Sequence, residues 1–174
     1  MIRQKGLTTL IFFLAILFTS PVFAAKDIIL ASPNGYVQFK LFSDKGRLSY
    51  SLNFQGKTVI ETSPLILVVD KVDISYDPKL GKTENYSLNE TISLRGSKSQ
   101  GQNVCNGLRI AYTQKKGSIK YMLEIRAYNN GIAFRFVVPG DDSKSRLVDE
   151  FTAFNFPDGC KVWYQGIDDH YEGL

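Results

Sequence analysis

The chain has 174 residues, with 21 lysines and arginines against 17 aspartates and glutamates, one histidine and two cysteines, for a formal net charge of +4. So small a surplus, with the basic residues scattered singly or in pairs, excludes a phosphate-neutralising nucleic-acid face. One histidine and two distant cysteines also exclude a multi-histidine or cysteine-built metal centre and leave little material for a nucleophilic triad.

Residues 1–24 read as a signal peptide. Arg3 and Lys5 precede an uncharged apolar run from Leu7 to Phe18, and Val22 and Ala24 then set small residues at spacing two. The run is about a dozen residues, shorter than the roughly 20 that a membrane-spanning helix needs. Processing after Ala24 leaves no cysteine at the new N-terminus for a lipid anchor, so the expected product is a soluble periplasmic or secreted domain over residues 25–174. Without Arg3 and Lys5, 19 basic residues face 17 acids. In an oxidising compartment Cys105 and Cys160 have two options, a bridge or two free thiols.

Beyond the leader, alternation with period two recurs. Val37, Phe39 and Leu41 oppose Gln38 and Lys40, and Leu48, Tyr50 and Leu52 oppose Arg47, Ser49 and Ser51, as in half-buried strands. Turn chemistry separates the runs at "SPNG" (32–35), "SDKG" (43–46), "FQGK" (54–57) and "KKGS" (115–118). "LILVV" (65–69) is a continuous apolar run, which predicts a strand buried on both faces. "GSKSQGQ" (96–102) reads as a loop between two strands. No stretch holds a 3.6-residue period over a dozen positions, so the fold class is all-β and antiparallel, with helices at most as short connectors.

Residues 121–140 predict a long hairpin. Tyr121, Leu123, Ile125 and Ala127 line one face, Asn129, Asn130 and Gly131 turn the chain, and Ile132, Phe134, Phe136 and Val138 return on the matching face. An Asn129-Asn130 loop sets Glu124 opposite Arg135; an Asn130-Gly131 loop would set Arg126 there instead. Cross-strand charge favours the first. These arginines read either as paired charges on the polar face of a sheet or as ligand contacts.

The chain closes on "IDDHYEGL" (167–174), where Asp168, Asp169, His170 and Glu172 crowd together with Trp163, Tyr164 and Tyr171 nearby. Carboxylates beside aromatics are how proteins hold sugars or calcium, although three acids fall short of the six to eight oxygens calcium takes. A solvated loop fits the same residues.

Three ordered segments carry a family resemblance. "ASPNGYVQFKLFSDKGRLSYSLNFQGKTVIETSPLILVVD" (31–70), "EIRAYNNGIAFRFVVP" (124–139) and "EFTAFNFPDGCKVWY" (150–164) resemble the N-terminal domain of glycoside hydrolase family 97. The resemblance implies a β-supersandwich of the galactose-mutarotase kind, here incomplete, preceding a catalytic (β/α)8 barrel that this sequence does not contain. It implies an exported, calcium-dependent hydrolase of α-glucosidic or α-galactosidic bonds, whose catalytic carboxylates belong to the barrel, so that no catalytic residue is assigned to this chain. It also implies an oligosaccharide partner and, from a Tyr-Glu pair matched by Tyr171 and Glu172, a role for Glu172 as a calcium ligand. Two other classes stay open: a stand-alone carbohydrate-binding sandwich with Trp163 and Tyr164 as stacking surfaces, and a structural or adhesin-like sandwich.

Overall fold

The computed structural model describes residues 27–163 except 97, 117, 142 and 144. The leader read over 1–24 and the closing stretch with Tyr164, Asp168, Asp169, His170, Tyr171 and Glu172 lie outside the described residues.

The elements among the described residues are all strands. β1 (Ile28–Ala31), β2 (Val37–Asp44), β3 (Arg47–Phe54) and β4 (Lys57–Pro64) form one antiparallel sheet in chain order. β7 (Pro78–Ser93), β8 (Gln100–Gln114), β9 (Lys120–Tyr128) and β10 (Gly131–Val137) form a second antiparallel sheet, in the order β10-β9-β8-β7. A small third sheet joins β11 (Val148–Glu150), β5 (Leu67–Val69) and β6 (Val72–Asp73).

The alternation read from the sequence decides which residues meet between the layers. Phe39, Leu41, Leu48 and Tyr50 from the first sheet pack with Leu108, Ile110, Tyr112, Tyr121, Leu123, Ile125 and Ala127 from the second in one buried cluster. Because a strand sends successive side chains to opposite faces, this core commits the intervening positions to the outer faces. Polar contacts add to the packing: Asn106 Nδ2 donates to the Ala31 carbonyl at 2.9 Å between the two sheets, and the Tyr50 hydroxyl donates at 3.0 Å to the carbonyl of Ala153, in the segment after β11. Burial pushes the Tyr50 phenol up to about 12, so it stays a donor at any ordinary pH.

The predicted turns fall where expected. Lys45-Gly46 and Gln55-Gly56 close two-residue hairpins with positive φ at both positions (49° and 83°, 50° and 77°), the twist that matches paired strands. Two expectations shift. In "LILVV" only Leu67–Val69 is a strand, and it is buried on alternate residues rather than on both faces, since Leu65, Leu67 and Val69 are buried while Ile66 and Val68 are half-buried. Its neighbours are the short β6 and β11, too small a sheet to cover a second face. The loop predicted over 96–102 gives way to strand at Gln100, because the partner β7 runs long enough to pair with it at Ser93. Both cysteines are free thiols, Cys105 buried and Cys160 exposed, so the bridge left open by the sequence is not formed.

Candidate functional site on the outer face of the second sheet

The β9-β10 hairpin turns at Asn129-Asn130, and its register pairs Arg135 with Glu124 and Ala133 with Arg126, the pairing that cross-strand charge favours. β8 then pairs Arg109 with Glu124 and Gly107 with Arg126, and β7 sets Glu84 opposite Arg109 and Tyr86 opposite Gly107. Four strands thus deliver one row, Arg135, Glu124, Arg109 and Glu84, beside a second, Ala133, Arg126, Gly107 and Tyr86, both on the face away from the core.

Gly107 allows the rows to merge. A Cβ there would stand 2.1 Å from the Tyr86 ring, so only glycine lets that ring lie flat across β8 toward β9. From this position the Tyr86 hydroxyl donates to Glu124 Oε1 at 2.8 Å and accepts from Arg126 Nε at 3.1 Å. The Arg109 guanidinium sits 4.4 Å from the centre of the same ring, in cation–π range, and its Nε donates to Glu124 Oε1 at 3.2 Å. Arg135 grips the other oxygen, with Nε donating to Oε2 at 2.7 Å and Nη2 at 2.6 Å.

Glu124 is 3% exposed at the centre of this lattice. Burial alone would raise its pKa, but the Tyr86 hydroxyl, Arg135 and Arg109 outweigh that and bring the carboxyl down to about 2. A carboxylate so held is an anion near neutrality, with both oxygens engaged. It can serve neither as a general acid near neutrality nor as a ligand for a cation, since guanidinium groups occupy its oxygens. Arg126 is held above its ordinary value by the Tyr86 and Tyr128 hydroxyls. Open donor capacity therefore lies on the arginines, beside a surface pocket of about 180 Å³ lined by Glu124, Arg126, Tyr128, Ala133, Phe134 and Arg135.

The other residues singled out in the sequence scatter. Trp163 is 93% exposed, at the end of the described chain. Among the described residues no three His, Cys, Asp or Glu side chains come together as a metal cluster, and no helix is long and apolar enough to cross a membrane. Tyr86 and Arg109 belong to the network without having been singled out. Tyr86 lies in the polar run "TENYSLNE", and only the joint register of β7, β8 and β9 brings it to Glu124.

Antiparallel sheets packed face to face around one apolar layer define a β-sandwich domain. A family model described as glycosyl-hydrolase 97 N-terminal matches residues 30–174, and the chain belongs to that family. Among curated relatives, a retaining alpha-galactosidase of Bacteroides thetaiotaomicron is 32% identical over 156 residues, which cover 88% of this chain and 22% of the relative. A probable retaining alpha-galactosidase of Streptomyces bingchenggensis is 25% identical over 130 residues, covering 72% and 20%. Among solved structures, a beta-arabinopyranosidase superposes with a TM-score of 0.68 at 25% identity, over 76% of this chain and 22% of that one. A glycoside hydrolase family 97 enzyme from Pseudoalteromonas sp. strain K8, solved in complex with panose, shares the fold with a TM-score of 0.66 at 22% identity, over 75% and 20%. The chain spans about a fifth of the length of the curated relatives it matches.

Proposed function

We propose that this chain is the N-terminal, non-catalytic sandwich domain of an exported, calcium-dependent glycoside hydrolase acting on α-glucosidic or α-galactosidic bonds, contributing to the active-site rim and to oligosaccharide binding. The observation that carries the reading is the family match over residues 30–174 together with relatives in which the matched part is about a fifth of the whole. Glycoside hydrolysis needs two carboxyl groups facing one bond. The most deeply held acid on the described surface, Glu124, is locked as an anion by arginines and is unsuited to that role. This reading assigns the chemistry to a catalytic barrel, as the family resemblance implies.

Glu172, which lies outside the described residues, would supply one hard carboxylate oxygen donor of the kind calcium takes, and the remaining oxygens would come from the barrel. Calcium at such a site would polarise sugar oxygens, while Glu172 would fix one side of the ion and tie this domain to the barrel. The exposed indole of Trp163 supports a second reading, in which the sandwich binds saccharides by stacking on its own.

The test is an assay of the purified chain on nitrophenyl α-galactoside and α-glucoside, alone and fused to the part of the Bacteroides retaining alpha-galactosidase that follows the matched segment. No turnover is expected from the chain alone. The fusion should turn over substrate in a calcium-dependent manner, with a higher calcium requirement in Glu172→Gln. Turnover by the isolated chain would overturn the non-catalytic reading.

A further inference from the structure

We propose that the pocket on the outer face of β9 and β10 binds the carboxylate of a small acidic sugar, through the guanidinium groups of Arg126 and Arg135. The inference rests on the saccharide-handling reading above for the nature of the ligand, but its geometry is independent of any barrel.

Each guanidinium carries five N–H groups. Arg126 gives Nε–H to Tyr86, meets the Tyr128 hydroxyl and holds Nη2 3.7 Å from Glu124 Oε1, and Arg135 directs Nε and Nη2 to a single oxygen of Glu124. Both forks keep donors to spare, and both line the same pocket. Glu124 also lines it, but its oxygens are already taken, so it repels anions less than an open carboxylate would.

Charge selects the ligand. Arg109, Arg126 and Arg135 bring three positive charges to the cluster, and Glu124 and Glu84 return two negative ones, the latter 3.6 Å from Arg109. One positive charge is left over, which matches a monoanion better than a phosphate dianion. A planar guanidinium fork also matches the two coplanar oxygens of a carboxylate.

Shape sets the size. Ala133 stands opposite Arg126 on the edge strand β10, and its methyl group leaves the floor open between the two arginines. Tyr128 provides an aromatic wall of the kind sugar rings lie against. At about 180 Å³ the pocket is smaller than the roughly 300 Å³ at which drug-sized sites begin, and it suits one monosaccharide rather than a chain.

The experiment is an NMR shift titration of the 15N-labelled chain with glucuronate and galacturonate, run beside glucose, galactose and acetate at matched ionic strength. The expected result is saturable binding of at least one uronate with shifts confined to Arg126, Tyr128, Ala133 and Arg135, and affinities weaker by about tenfold for the neutral sugars and for acetate. Arg135→Gln, which also takes the ion partner from Glu124 Oε2 and is therefore compared only at a urea concentration of zero with its fold checked by the dispersion of the 15N spectrum, should weaken uronate binding about tenfold. Ala133→Leu, which keeps every charge but fills the floor, should abolish it. Uronates that fail to saturate, neutral sugars that bind as tightly, or acetate that matches the uronates would each overturn the proposal. The fusion assay above uses neutral substrates and a barrel, so it fails or succeeds separately from this titration.

Discussion

Glu124 is where the chain places its most costly residue, a carboxylate almost wholly withdrawn from water, and the surroundings make it pH-sensitive in one direction. Its carboxyl falls from an ordinary 4.5 to about 2 because the hydroxyl of Tyr86 and the guanidiniums of Arg135 and Arg109 favour the ion over the acid despite burial. A depressed folded-state value contributes stability above the unfolded pKa and loses it as pH falls toward the folded one. The contribution is therefore complete above about pH 5 and fades on the way to pH 2, with a size of about 3 kcal/mol. Glu124→Gln should lose about that much at pH 7, with a gap to the native chain that narrows below pH 4. Urea unfolding at pH 7, 4 and 3 measures it, and a gap independent of pH would refute the assignment. Half of this arrangement was legible beforehand: the choice between two hairpin loops turned on Glu124 facing Arg135, and that pairing is the one formed. Tyr86 and Gly107 were not legible, since their contact depends on the register between β7 and β8, which no local pattern in the polar β7 sequence fixes.

At the scale of elements, two-residue turns and alternating strands carried most of the information because both are local. Gly46 and Gly56 occupy positions whose φ of 83° and 77° a side chain resists, and each was readable from a polar residue followed by glycine between alternating runs. Gly56 isolates the backbone effect, for an added Cβ would meet nothing within 4 Å. Gly56→Ala should therefore destabilise the domain by about 1 kcal/mol through conformation alone. Its urea m-value should be unchanged, and an unaltered midpoint would contradict the turn assignment. Where the reading slipped, the cause was non-local. "LILVV" looks doubly buried in isolation, but its neighbours in space are the two-residue β6, which follows it directly in a hairpin, and the three-residue β11, contributed by chain far from it in sequence. The early end of the 94–99 connection likewise depends on how far β7 extends, which its polar sequence does not announce.

Across the whole molecule the apolar matter is distributed unevenly. The two sheets enclose a well-filled layer, in which Phe39 stacks on Tyr50 with centroids 5.4 Å apart and Phe134 joins both. Yet the segment after β11 carries Phe151, Phe154 and Phe156, each substantially exposed, beside a second sheet whose β10 edge has no strand partner among the described residues. The segment is anchored through its backbone: Ala153 N–H donates to the Pro64 carbonyl at 3.1 Å, and Glu61 N–H to the Asn155 carbonyl at 2.8 Å. Among the described residues, Phe154 alone of the three makes ring contacts, with Tyr50 and Phe134 at 6.2 and 6.4 Å. Exposed aromatics in one strip are a surface for association rather than a second core. A Phe151→Ser, Phe156→Ser double variant should thus lower self-association in sedimentation velocity and reduce binding of an anilinonaphthalene dye. Its urea midpoint should change little, because exposed positions contribute within about 0.5 kcal/mol. Phe154→Ala should behave in the opposite way, costing about 1–2 kcal/mol through lost ring contacts while leaving much of the association in place. If the double variant unfolds as readily as Phe154→Ala, the strip is part of the core; if it stays as self-associating as the native chain, the sticky surface lies elsewhere.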